Sequence, residues 1–174
     1  RLGDELEALG YTVHRGIGGT GLIALLENGP GPTVMFRADM DGLPVQEKSG
    51  LSYASKAKQV DADGNDVYVM HACGHDVHIT SLVGTGKLMA ERKDLWSGTL
   101  MLLGQPAEEI VAGAQAMMED GLWDRVVKPD FALPIRRGNL LTPGPPSNLL
   151  CPLSSVKKKS CSHLLGVPRA LVVY

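Results

Sequence analysis

Val69-Met70-His71-Ala72-Cys73-Gly74-His75-Asp76-Val77-His78 is the stretch around which this chain is organised. It holds three histidines, a cysteine and an aspartate, between a strand-like run and a helix-like run. A thiolate, imidazole nitrogens and a carboxylate form the donor set of a borderline-soft divalent cation such as Zn²⁺. Cys73 and His75 stand two apart, so on a loop both turn toward one point. Gly74 between them removes the Cβ that would limit how tightly that loop curls. A lone cysteine is ordinarily a small hydrophobe, but here metal-type donors crowd into eight positions, and the crowding reverses that reading.

Downstream, Ile79, Leu82, Val83, Gly86, Leu88 and Met89 fit a helix over 78–92, entered through a cap at Asp76 or a neighbour. Upstream, residues 46–68 are polar and weakly patterned and read as an exposed loop. Asp61-Ala62-Asp63-Gly64-Asn65-Asp66 resembles a calcium loop but lacks its closing glutamate, since Ala72 stands there.

Two buried strands are predicted to feed the same edge. Thr33–Arg37, after the turn Glu27–Pro32, runs out into Asp39-Met40-Asp41-Gly42. Its two carboxylates either face a ligand, as strand ends do in α/β proteins, or cap a turn. Thr99–Leu103 delivers Gln105-Pro106-Ala107-Glu108-Glu109. Adjacent glutamates on a loop point in different directions, so one can bind a cation while the other faces a water. Metal-assisted hydrolysis needs that division of labour, because a carboxylate must take the water's proton and hand it to the leaving amine.

The remaining elements complete the alternation. A helix over 2–9 stops at Gly10, and strands are expected over 11–15 and 22–26. The glycine loop at 16–21 between them reads as a hairpin connection, because no lysine follows it as in a phosphate-binding loop. A small-residue helix over 112–118 closes at Gly121, and a last strand starts at Pro129. Helices alternating with strands, with acidic and metal-type residues after the strands, predict an α/β, three-layer architecture with its site at the strand ends.

The composition excludes other classes. A formal charge of −2 gives no reason to expect nucleic acid or an anionic membrane. No apolar run reaches bilayer length, and no signal peptide is evident, although residue 1 is Arg. Three cysteines, at 73, 151 and 161, form no disulfide framework, so a reducing, cytoplasmic setting is expected. Residues 134–174 carry six basic and no acidic residues and six of the eleven prolines, whereas 1–133 carry a net −8. The chain is therefore divided into 1–133 and a Pro-rich basic tail, 134–174.

Arg37-Ala38-Asp39-Met40-Asp41-Gly42-Leu43-Pro44, Met70–His78 and Gln105–Glu109, in this order and spacing, resemble the M20 metallopeptidase family. Within it the match is to the amidohydrolase branch of hippurate hydrolases, N-acyl-amino-acid amidohydrolases and auxin-conjugate hydrolases. The resemblance implies a three-layer α/β/α catalytic domain and a two-metal or metal-dependent hydrolase that cleaves the amide bond of small N-acyl amino acids. It implies Cys73, His75 and Glu109 as metal ligands, Glu108 as general base and Asp41 as the carboxylate that orients a ligand. Asp39 and His78 are left without a fixed role. Zn²⁺ is the first expectation for the metal, with Mn²⁺, Co²⁺ or Ni²⁺ open.

The departures shape the remaining expectations. Family members follow the strand at Phe131-Ala132-Leu133 with a metal-binding histidine, whereas this chain reads Pro134-Ile135-Arg136-Arg137-Gly138. The lid or dimerisation domain, through which the full-length family forms homo-oligomers, is expected to be absent. Residues 134–174 read as an unrelated or frameshifted, poorly ordered tail, in which His163 has no ligand-like surroundings. The alternative function is a non-catalytic metal-binding fragment of such an enzyme, lacking its C-terminal ligands.

Overall fold

The computed structural model describes residues 1–61, 63–135 and 171–172. In chain order the elements are α1 (Leu2–Ala8), β1 (Thr12–Ile17), β2 (Gly21–Asn28), β3 (Thr33–Asp39), β4 (Lys58–Val60) and β5 (Asp66–Tyr68). Then follow α2 (His75–Glu91), β6 (Gly98–Gln105), α3 (Gly113–Glu119), α4 (Leu122–Arg125), β7 (Phe131–Pro134) and β8 (Leu171–Val172). The main sheet runs β1-β2-β6-β3-β7-β8. β1, β2 and β6 pair antiparallel, while β6, β3, β7 and β8 pair parallel.

Strand alternation divides the core into two layers. Leu22, Ala24 and Leu26 of β2, Ala38 of β3 and Leu100 and Leu102 of β6 pack with Leu6 of α1 and Leu82 of α2. Ile23, Met35, Met101 and Leu103 point the other way, onto Ala114 and Met117 of α3 and Leu122 of α4. Helices on both faces of a partly parallel sheet give the expected three layers, and β3 and β6 are nearly continuous apolar runs because both their faces are covered. Parallel register sets Asp39 opposite Gln105. The chain after β3 and the chain after β6 therefore leave the sheet side by side, at its carboxyl edge.

Three local expectations are corrected. Within 46–68, β4 and β5 form a two-stranded hairpin. Asp61 closes its turn, Oδ1 accepting the N–H groups of Asp63 and Asn65, which is the Asx geometry that a calcium loop can mimic in sequence. Helix α2 begins at His75, three residues before the apolar periodicity starts, because its first buried positions are histidines and not hydrophobes. No side chain caps it: Gly74 takes the N-cap position at φ 83°, and Asp76 lies inside the first turn. The glycine loop at 16–21 is the β1–β2 hairpin connection, as read. At the far end, β7 continues through Pro134, and Ile135 N–H donates to Arg37 O. Arg136, Arg137, Gly138 and His163 lie outside the described residues. No described helix is long and apolar enough to cross a membrane.

Candidate metal centre

The site gathers three segments that the sheet brings together. His75 and His78 head the buried stripe of α2, followed by Leu82 and Gly86. Spacings of three and four put them on one face, turned toward the sheet edge. Cys73 sits in the turn before Gly74, exposed at the surface. The segment after β3 is tied to this stretch by the Leu43–Met70 bridge, with Leu43 N–H donating to Met70 O at 2.8 Å.

Asp41 joins the parts. Its Oδ2 accepts the backbone N–H of Glu109 at 3.0 Å. The Nδ1 of His75 lies 3.0 Å from both the Asp41 carbonyl oxygen and its Oδ1, and His71 Nδ1 lies 3.1 Å from the same carbonyl. Acceptors on that side assign the proton of His75 to Nδ1, which leaves the Nε2 lone pair facing outward. Nε2 lies 3.7 Å from Glu109 Oε1 and 3.7 Å from Glu108 Oε2. Glu109 Oε1 is buried and has no hydrogen-bond partner. Two acceptors that face each other without a proton between them call for a cation. Sγ of Cys73, a ring nitrogen of His75 and a carboxylate oxygen of Glu109 all lie within 4.8 Å of one another. The three residues therefore fit a divalent ion.

Asp39 takes another course. It pairs through Oδ1 with the buried guanidinium of Arg37, whose Nε donates to Gln105 Oε1 at 2.7 Å. His78 stacks on His75, ring centroids 5.3 Å apart, and its Nδ1 lies 3.6 Å from Asp39 Oδ2. Burial holds the His78 pKa below its ordinary value, against the pull of the Asp39 carboxylate. Sequence reading did not give Arg37, Gln105 or His71 a part in the site. The available signal was a cation and an amide closing otherwise apolar strands.

The Glu108-Glu109 loop is partly exposed but pinned by its own backbone bonds. Ala107 and Val111 flank it with φ of 48° and 57°, and a β-branched residue in that region is strained. Val111 N–H closes back on Glu108 O at 2.8 Å, and Ala112 and Gly113 both donate to Ala107 O. At Gly113 a Cβ would lie 1.6 Å from Pro106 O, so only glycine lets the helix start this close to the loop.

Thiolate, imidazole and carboxylate donors at the carboxyl edge of a parallel α/β sheet, with a spare glutamate beside them, form the arrangement that metal-assisted hydrolysis uses. Comparison with known proteins agrees. The sequence profile of peptidase family M20/M25/M40 matches residues 35–147, and the chain belongs to this family. It is 43% identical over 122 residues to the hippurate hydrolase of Campylobacter jejuni, covering 70% of this chain and 29% of that protein. It is 44% identical over 110 residues to the N-acetyl-L-cysteine deacetylase of Bacillus subtilis, covering 59% of this chain and 24% of that protein. The crystal structure of the B. subtilis YxeP protein, a dinuclear metal binding peptidase of family M20, superposes with a TM-score of 0.63 at 34% identity. That match covers 79% of this chain and 35% of YxeP. The chain thus spans less than a third of the length of these two curated relatives.

Proposed function

We propose that residues 1–133 carry the catalytic-domain portion of a metal-dependent amidohydrolase that cleaves the amide bond of N-acyl amino acids. Cys73, His75 and Glu109 hold the metal, Glu108 is the general base and Asp41 positions the ligands. One observation carries the reading: Glu108 and Glu109 converge on the same His75 nitrogen, each at 3.7 Å, from a loop with strained flanks. A divalent cation bound there, Zn²⁺ by preference of the donor set, lowers the pKa of a water toward neutrality and polarises the amide carbonyl.

The chain's own residues do the rest. Glu109 is held by its backbone to Asp41, so its carboxylate stays with the ligand set. Glu108 is the more exposed of the two, so it is the carboxylate that water reaches more readily. Its carboxylate accepts the proton of the attacking water and passes it to the nitrogen of the leaving amino acid. The relatives named for hydrolysis of hippurate and deacetylation of N-acetyl-L-cysteine support acyl amino acids as the substrate class.

The test is metal content and turnover of a panel of N-acyl amino acids, with and without added divalent metal. Glu108→Gln is expected to keep its metal and lose about 10²–10⁴-fold in kcat. Cys73→Ser is expected to weaken metal binding itself, and unchanged metal retention in that variant would sink the ligand assignment. A second reading, metal binding without catalysis, is favoured by the absence of histidine from Pro134-Ile135-Arg136-Arg137-Gly138. Bound metal with no turnover of any substrate in the panel selects it.

A further inference from the structure

We infer that the cleft bounded by the chain after β3, the β4–β5 hairpin and the first turn of α2 binds a small organic cation, a protonated amine carried on an apolar body. The cleft holds about 480 Å³, a volume typical of small-molecule sites. Met40 and Gly42, which flank Asp41, belong to its wall, but Cys73, His75, Glu108 and Glu109 do not. No proposed ligand or base of the metal centre faces it, so it is a separate site.

Two features select the ligand. The first is a sorting of charge. Ser55, Ala57 and Gln59 line the cleft, whereas Lys56 and Lys58 between them do not, as the alternation of extended chain requires. Lys58 instead sets its ammonium over the ring of Tyr68, 4.8 Å from the centroid. The lining keeps the carboxylates of Glu47 and Asp76, with no Lys or Arg among the described residues. The Ser49 hydroxyl and the Ser55 N–H donate to the two oxygens of Glu47 and hold its carboxyl below the usual range, so it stays ionised. The Asp76 carboxylate has no hydrogen bond or ion pair among the described residues. The second feature is the apolar surface beside that charge. Met40, Val69 and Met70 are half-buried there, and the two thioethers adapt to the shape of an occupant. The ring of Tyr53, 80% exposed, adds a face for a cation. An anion meets two like charges in this cleft, and a neutral apolar molecule leaves both carboxylates unused. An amine on an alkyl or aryl body satisfies the charge and the apolar surface together. Its source is either a free amine or the side chain of a substrate whose amide reaches the metal.

The test is calorimetric titration of the full chain, treated with chelator, using phenethylamine and 3-phenylpropionate, probes of similar shape and opposite charge. Chelation removes coordination of the amine to a metal as a source of signal, so the result stands apart from the proposed metal centre. Phenethylamine is expected to bind at one site, about tenfold or more tighter than 3-phenylpropionate. Ala57→Trp fills the cleft from an exposed position while its N–H and C=O keep their bonds to Ser55 Oγ and the Val69 N–H. It is expected to weaken phenethylamine about tenfold, and Asp76→Asn to do the same by removing a charged acceptor. Equal affinity for the two probes overturns the inference. So does phenethylamine binding that neither variant changes, or no saturable binding to folded native chain. Nα-acetyl-L-lysine, titrated into chelated and Zn²⁺-loaded chain, separates the two sources. Tighter binding with Zn²⁺ that Ala57→Trp abolishes assigns the cleft to a substrate side chain. Equal affinity in the two states, or a gain that Ala57→Trp leaves in place, assigns it to a free amine. This last comparison alone rests on the proposed metal-dependent activity, and both of its outcomes uphold the site.

Discussion

Asp41 ties together more of the site than any of the three proposed ligands. Its two carboxylate oxygens face a ring nitrogen from α2 and a backbone N–H from the loop after β6, 34 and 68 residues away in sequence. An asparagine there keeps one acceptor and turns the other into a donor facing an N–H group. Asp41→Asn is therefore expected to weaken metal binding about 10–100-fold, read by competition with a chromophoric chelator. An unchanged affinity would show that Glu109 and His75 hold their positions without it. The crowding of metal-type donors between His71 and His78 was legible in sequence, while Cys73, His75 and Glu109 as a set came from the family resemblance. The different fates of Asp39 and Asp41 were legible in neither: two residues apart in one strand end, one turns to Arg37 and the other to α2.

At the scale of elements, α2 is the piece that must be seated correctly, because its first turn carries His75 and His78. Tyr11, buried at the entrance to β1, holds it by donating its hydroxyl to Gly86 O at 2.9 Å. Burial pushes the Tyr11 pKa up to about 12 from the ordinary 10. The fold thus favours the neutral phenol, and the contribution is fully present below pH 10. It is lost as pH rises from about 10 toward 12, by up to about 3 kcal/mol. Alkaline unfolding curves should show this loss in the native chain and not in Tyr11→Phe, which itself costs about 1 kcal/mol at neutral pH. An identical alkaline slope in both would remove Tyr11 as the cause. Periodicity located the helix but set its start at His78, since polar residues on a buried face are invisible to an apolar count. The β4–β5 hairpin escaped for a related reason: its strands are three residues long and mostly exposed.

For the molecule as a whole, an ion held by Cys73, His75 and Glu109, as proposed, would cross-link the turn before α2, its first turn and the loop after β6. An ion bound there adds stability by mass action, about 2.7 kcal/mol at a hundredfold excess over Kd. For a domain of this size that corresponds to a Tm roughly 10 °C higher. Thermal scans in chelator and in excess Zn²⁺ measure the difference. Coincident curves would mean that the ion bridges nothing the fold depends on.

The sequence by itself determined the donor chemistry, the alternation of strands and helices, and the order of the three motifs. These are local properties, readable from residue type and spacing. The tertiary structure alone decided which donors meet. That outcome depends on the parallel register that sets Asp39 beside Gln105, and on the seating of α2 against β3 and β6. It depends equally on burial, which leaves Glu109 Oε1 and the ring nitrogens of His78 without hydrogen bonds in the protein. Contacts between residues dozens of positions apart follow from packing of the whole chain, and no short window of sequence contains them.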